Sequence, residues 1–389
     1  MRSLSWRVLP LAVALLASHA LAVDEPEAPL PASAPDAGVA EPEVDLLAEA
    51  PEPGAASELA KTFGEALSLL KLEATWSGYG DVVLAFVPDK PPTFLMTHFN
   101  PILSARMGEH VSAEIELEFE PGKFLAEYAL VDFTPHRAFT VRLGRFLIPI
   151  GQFNEVLHPS FRWNMVSRPL MHRTVSPAVM SSVGAQVRGA VPVGAGATFD
   201  YAVYVVNGMG GGAEFTSNAE VARNLRREDL EDNNADKAFG ARAGVRLFAD
   251  RQVGSTQLGV SFYSGAIDPR AAYRLTITDV DASLKLGPLL LRGEFAQSFL
   301  GPEGTLIPFE SGVYVQASAM IWKLDVAARF DWARERPFAL TPLNKRALVA
   351  SVAYRAFTYW SARAEVSVPV VDGSSDFRPT VNVMAAFSF

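Results

Sequence analysis

From residue 72 to the C-terminus, apolar side chains return at every second position in segment after segment. Ala113–Phe119 reads AEIELEF, with Ala113, Ile115, Leu117 and Phe119 on one face and Glu114, Glu116 and Glu118 on the other. Leu324, Val326, Ala328, Phe330 and Trp332 oppose Asp325, Ala327, Arg329 and Asp331. Trp360, Ala362, Ala364, Val366 and Val368 oppose Ser361, Arg363, Glu365 and Ser367, and Phe239–Phe248 behaves the same way around Arg242 and Arg246. A period of two is the strand period, and no apolar run after residue 72 approaches the ~18 residues of a membrane-spanning helix. The body of the chain is therefore all-β.

Two architectures use this pattern. A soluble sandwich buries its apolar faces against each other. A membrane barrel turns them to lipid and its polar faces to a lumen. The connections separate the two. About sixteen segments of strand length can be placed. The short connections, near 134–136, 191–195, 250–253, 286–287, 322–323 and 356–358, alternate with all the long ones, 148–178, 208–236, 300–309, 335–343 and 371–377. Short turns at one end and long loops at the other is the habit of antiparallel up-and-down outer-membrane barrels. Trp322, Trp332, Tyr354, Tyr359 and Trp360 fall near segment ends, as an interfacial girdle would. Closing the sheet also removes the edges that an open sheet of this size would expose.

The N-terminus supplies a route to that membrane. Residues 1–22 carry Arg2 and Arg7, an apolar stretch from Val8 to Ala17, and Ala20-Leu21-Ala22, the layout of a cleavable signal peptide. Residues 23–56 form an acidic Pro/Ala-rich linker, and 57–71 have the spacing of a short helix capped by Ser57. The formal charge of −9 is concentrated there: residues 23–71 hold eleven acids against two bases, the leader adds +2, and 72–389 are left at −2. Such a balance argues against a nucleic-acid partner.

The polar faces then become the channel lining. Glu114, Glu116 and Glu118 form an acidic stripe. Arg142, Arg242, Arg246, Arg329 and Arg363 are basic points, with Asp325 and Glu365 beside the last two. The connection 148–178, rich in bulky and basic residues such as His158, Arg162, Arg168, His172 and Arg173, is long enough to be functional and is expected to fold inward and set the constriction. An external lid is the competing reading of the same loop. No histidine falls in a metal-binding spacing, no GxSxG elbow occurs, and the Gly208–Gly212 run lacks the Lys-Ser/Thr of a phosphate loop. No cofactor, metal or catalytic residue is expected. With zero cysteines, thiolate chemistry is excluded outright.

The stretches VRLGRFLIPIGQFNE (141–155), YVVNG (204–208), NNADKAFGAR (233–242), LGVSFYSG (258–265), LLLRGEF (289–295), GVYVQASAMI (312–321) and the closing AAFSF resemble, in order, the phosphate-selective porin O and P family. The resemblance implies a sixteen-stranded outer-membrane channel, a homotrimer, an inward third loop, and passive diffusion of small hydrophilic solutes or ions, anions such as phosphate among them. The terminal aromatic Phe389 resembles the signal read by the barrel assembly machinery. The acidic stripe and near-neutral barrel depart from a strongly basic lumen, which leaves the carried solute open. A structural, adhesive or ligand-binding barrel with an occluded pore is the alternative.

Overall fold

The computed structural model describes residues 72–120, 123–173, 175–176, 180–194, 196–209, 232, 234–248, 253–302, 304–335, 343–372 and 378–389. The expected leader (1–22), linker (23–56) and helix (57–71) lie outside the described residues.

The alternating segments become β1 (Leu72–Phe86), β2 (Thr93–Met107), β3 (Val111–Glu120), β4 (Lys123–His136), β5 (Phe139–Leu147), β6 (Ser181–Pro192), β7 (Ala197–Val206) and β8 (Ala238–Leu247). They continue as β9 (Val253–Ala266), β10 (Tyr273–Leu286), β11 (Leu289–Pro302), β12 (Pro308–Ile321), β13 (Leu324–Glu335), β14 (Leu343–Phe357), β15 (Trp360–Val371) and β16 (Thr380–Ser388). Each strand pairs antiparallel with its sequence neighbours, and β1 pairs with β16, so the sheet closes into a sixteen-strand barrel. The expected strand limits agree with these to within a few residues.

Closure is completed beyond the last strand. Gly78 and Phe389 exchange two backbone hydrogen bonds of 3.0 Å. The Phe389 ring lies over Gly78, where a Cβ would meet ring atom Cζ at 2.5 Å and the Asn100 carbonyl oxygen at 2.6 Å. Only glycine leaves room for that ring.

The pleat sorts side chains as the alternation requires. Val203, Leu258, Val260, Val280, Val315 and Leu348 are exposed on the outer face. In water this much apolar surface would be a liability; against acyl chains it is the solvated state. Trp322, Phe357 and Tyr359 are exposed at the short-turn end, where Trp322 lies 6.4 Å from Tyr354. The inner rows are polar: Gln316 pairs with Arg329, Ser351 with Glu365, and Ala353 with Arg363.

Candidate functional site: the third loop and the lumen beside it

The connection between β5 and β6 runs from 148 to 180 and crosses the barrel interior. Asn154 ties its neck. The amide donates to the carbonyls of Ile148 (2.8 Å) and Met180 (2.9 Å), and its oxygen accepts from the Met180 N–H (2.9 Å). Ile148 and Ile150 are fully buried with Phe146, Tyr204 and Tyr263. The chain then makes one π-helical turn (Phe153–Leu157) and, later, one 3-10 turn (Leu170–Arg173).

The wall grips this loop mainly by its backbone. Arg363 on β15 donates to the carbonyls of Ser160 and Met165, the latter at 3.2 Å. Its neighbour Glu365 accepts from the N–H groups of Val166 (2.8 Å) and Ser167 (3.1 Å). Arg329 on β13 donates to the Ser167 carbonyl (2.8 Å) and hydroxyl (2.9 Å) while pairing with Asp331 at 3.0 Å. Asn164 joins Gln316 (2.7 Å) and Asp325 (3.1 Å). Buried charges are tolerable when satisfied in this way.

Between these bonds lies an apolar seat. The Phe153 and His172 rings stack at 4.3 Å, and Trp163 meets Phe153 edge-on at 4.9 Å. Met165, Met171 and Trp163 pack among Ala296, Ala327, Ala347 and Tyr314. Small inward residues make this space: a Cβ on Gly312 would stand 2.6 Å from the Met171 Cβ. The loop therefore leans on β11–β15.

Two imidazoles reach the wall. His158 Nδ1 donates to the Asn154 carbonyl (2.6 Å), and its Nε2 lies 2.6 Å from Glu127 Oε1 on β4. His172 Nδ1 donates to the Ser176 carbonyl (3.1 Å), and its Nε2 lies 3.4 Å from Glu294 Oε1 on β11. Burial lowers His158 from its usual range to about 4 and His172 to about 3. Arg168, expected in the loop, donates to His98 Nε2 (3.1 Å), whose Nδ1 faces Asp81 at 3.0 Å.

Opposite the loop's seat the interior is open. One cavity of 460 Å³ is lined by residues of β1–β6, including Tyr79, Glu114, Tyr128 and Arg142, and by Glu155, Phe161 and Arg162 of the loop. A second, of 370 Å³, is bounded by Arg137, Asp200, Arg242 and Arg246. Glu155, Val156 and Arg188 line both. Glu155 forms a close ion pair with Arg188 and lies 3.9 Å from Arg142, which is held by Asp132 at 2.8 Å.

The sequence-derived lining thus divides in two. Glu114, Arg142 and Arg162 line the first cavity and Arg242 and Arg246 the second. Arg242 is itself mostly buried in a bidentate pair with Asp281 (2.6 and 3.0 Å), and Arg246 lies 3.3 Å from Asp200. Asp325, Arg329, Arg363 and Glu365 face inward as expected, yet the loop covers them, so they anchor it and do not meet open water. The acidic stripe is not uniform either. Glu114 is half-buried, whereas Glu116 is buried beneath Tyr79 and Asn100 (both 2.7 Å), and Glu118 is buried near His98 (3.9 Å). His158 and His172 are clasps on the wall, and Arg173 is exposed at the end of the 3-10 turn. Sequence reasoning missed Glu155, Arg188, Glu127, Glu294 and Asn154. Glu155 and Glu294 end or nearly end two of the quoted stretches, and that placement was the available signal. Among the described residues no group of three or more His, Asp or Glu side chains is spaced to hold a metal ion.

No family model matches the chain. An uncharacterized protein of Aquifex aeolicus (strain VF5) is 28% identical over 200 residues, 48% of this chain and 43% of that protein, so the chain spans less than half the length of this relative. Among solved structures, a loop L8 deletion form of OmpT, an outer membrane protein of Vibrio cholerae, has a TM-score of 0.56 at 14% identity, covering 82% of this chain and 99% of that one. An anion-selective porin from Comamonas acidovorans has a TM-score of 0.56 at 13% identity, covering 82% and 100%. The outer membrane channel DcaP of Acinetobacter baumannii has a TM-score of 0.51 at 10% identity, covering 82% and 97%. At these identities the likeness establishes the fold, the closed antiparallel barrel of outer-membrane porins and channels. Nothing in these comparisons supports the phosphate-selective porin O and P family itself; what they share with the expectation is the sixteen-strand barrel.

Proposed function

We propose that the protein is an outer-membrane porin through which small hydrophilic solutes and ions diffuse passively. One observation carries the reading. The third loop lies inside the barrel against β11–β15, and the space it leaves is two polar cavities meeting at Glu155 and Arg188. A loop that narrows a lumen without filling it is how a wide barrel becomes a size-limited pore. On this reading Glu155, Arg188, Arg142 and the exposed Arg162 set the constriction.

Ion preference is weak. Four guanidiniums of the open side each have a carboxylate beside them: Arg142 has Asp132, Arg188 has Glu155, Arg242 has Asp281 and Arg246 has Asp200. Phosphate, or any anion, has no unpaired basic array to bind. The protein is not an enzyme in this proposal. It reaches the outer membrane through the 1–22 leader, is inserted by the barrel assembly machinery through the strand ending at Phe389, and assembles as a homotrimer. An OmpT structure of Vibrio cholerae described as a trimer form supports that last step by fold alone, at 11% identity.

Purified protein reconstituted in a planar bilayer tests the reading. Discrete ohmic conductance with a small reversal potential under a salt gradient is expected. Sealed bilayers, together with liposomes that do not swell in sugar solutions, would favour an occluded ligand-binding barrel. A large reversal potential of either sign would overturn the weak selectivity.

A further inference from the structure

We propose that the 460 Å³ cavity is a binding station for small zwitterions that carry an apolar substituent, the chemistry of a free α-amino acid or a dipeptide. This deepens the channel reading and rests on it for the route by which such a solute arrives.

The argument begins with charges that the protein leaves unmatched. Among the described residues most lumenal ions are paired, but two that line this cavity are not. Glu114 on β3 accepts from the Ser104 hydroxyl at 2.9 Å and from the Tyr128 hydroxyl, but has no ion-pair partner. Arg142, which lines the same cavity, is already committed to Asp132 through two bonds, of 2.8 and 2.9 Å. Arg162 on the third loop is exposed and has no carboxylate partner; its guanidinium rests 5.5 Å from the ring of its neighbour Phe161. One carboxylate and one guanidinium without ion-pair partners therefore line the same cavity.

The remaining lining is mixed, with an apolar shelf beside its polar groups. Tyr79 and Phe161 pack at 5.3 Å, and Ile102, Leu130 and Leu147 also face the cavity. The volume falls within the range of small-molecule sites. A carboxylate matches an ammonium, a planar guanidinium matches a carboxylate in bidentate fashion, and an aromatic shelf accepts a hydrocarbon side chain. A solute with only one charge satisfies half of this arrangement and leaves the other ion facing it unmatched.

The probes are L-phenylalanine and two analogues that each lack one charge, phenethylammonium and phenylacetate. They are applied to single channels of the wild-type protein, Glu114→Gln and Arg162→Gln. L-phenylalanine is expected to interrupt the current at about two- to fivefold lower concentration than either analogue, the range for one partly exposed charge pair. Each substitution is expected to erase that advantage. Interruption equal for all three probes, or unaltered in both variants, overturns the proposal. If no conductance is seen, the channel reading fails by itself. Saturation-transfer NMR on detergent-solubilised protein then decides the site separately: contact with L-phenylalanine that either substitution abolishes supports it, and contact indifferent to both overturns it.

Discussion

Nε2 of His158 lies 2.6 Å from Oε1 of Glu127 while Nδ1 of the same ring donates to the Asn154 carbonyl. A carbonyl cannot donate, so Nδ1 carries hydrogen and Nε2 faces the carboxylate. His172 repeats the arrangement against Glu294 at 3.4 Å. The third loop thus meets two distant strands through buried imidazole–carboxylate contacts. Protonating either imidazole would place its charge in a buried site, which desolvation opposes.

The sign of the pH effect follows. Burial lowers both imidazoles, to about 4 and about 3, from an ordinary value near 6.5. The released loop therefore takes up protons more readily than the docked loop below about pH 6.5. Docking is at full strength above that value and weakens as pH falls through 4. Around His158 stand Glu116, Glu118, Glu127 and Arg168; around His172 stand Glu294, Arg168 and Arg329. Single-channel current should be quiet at pH 7.5 and increasingly noisy toward pH 4, with the noise reversing on return. The double variant His158→Gln/His172→Gln should show noise that no longer tracks pH. A wild-type trace that stays equally quiet down to pH 4 would refute the clasp.

The throat can be reset by one atom pair. Glu155→Gln leaves Arg188 and Arg142 facing the passage without their shared carboxylate. Reversal potentials should move toward anion preference by on the order of a few-fold in permeability ratio. Arg188→Gln should move them the other way. The shifts should shrink at high salt as screening shortens the reach of both charges.

Arg363 holds the loop by two of its carbonyls. Arg363→Ala removes two donors from loop carbonyls and leaves Glu365 without its neighbouring cation. The expected cost is about 1.5–3 kcal/mol of local stability. The barrel itself should persist, because its ladder bonds are untouched. Conductance should rise or become unsteady while the β-sheet circular dichroism signal is unchanged. A variant with wild-type conductance would show that the remaining anchors suffice.

Gly78→Val should impair closure. The new Cβ meets the Asn100 carbonyl oxygen at 2.6 Å, a backbone atom that cannot step aside, as well as the Phe389 ring. Heat-modifiable mobility on gels should report a lower folded fraction. Adding Phe389→Ala should recover only part of it, because removing the ring leaves the Asn100 clash in place.

Strand positions, the facing of their side chains and the parity of the loops were readable from periodicity, because those properties are local. The loop's resting place was not. Arg363 and Ser160 lie 203 positions apart, and nothing near either one announces the other. Arg329 and Arg363 look like pore charges when strands are read singly, and become anchors only when the loop's backbone arrives. The Glu114–Glu118 stripe fails for a related reason. Tyr79 and Asn100 come from two other strands to cover Glu116. A row of inward small residues, Ala296, Gly312, Ala327 and Ala347, was the readable hint of where the loop would press.

Arg363, Glu365 and Arg329 recognise mostly the carbonyls and N–H groups of residues 160–167, atoms that every amino acid except proline provides in full. The barrel therefore works as a socket indifferent to much of the text it holds. Side chains such as Arg162, which no anchor uses, can be exchanged while the loop keeps its course. A lineage or an engineer could rewrite what passes through without redesigning the wall.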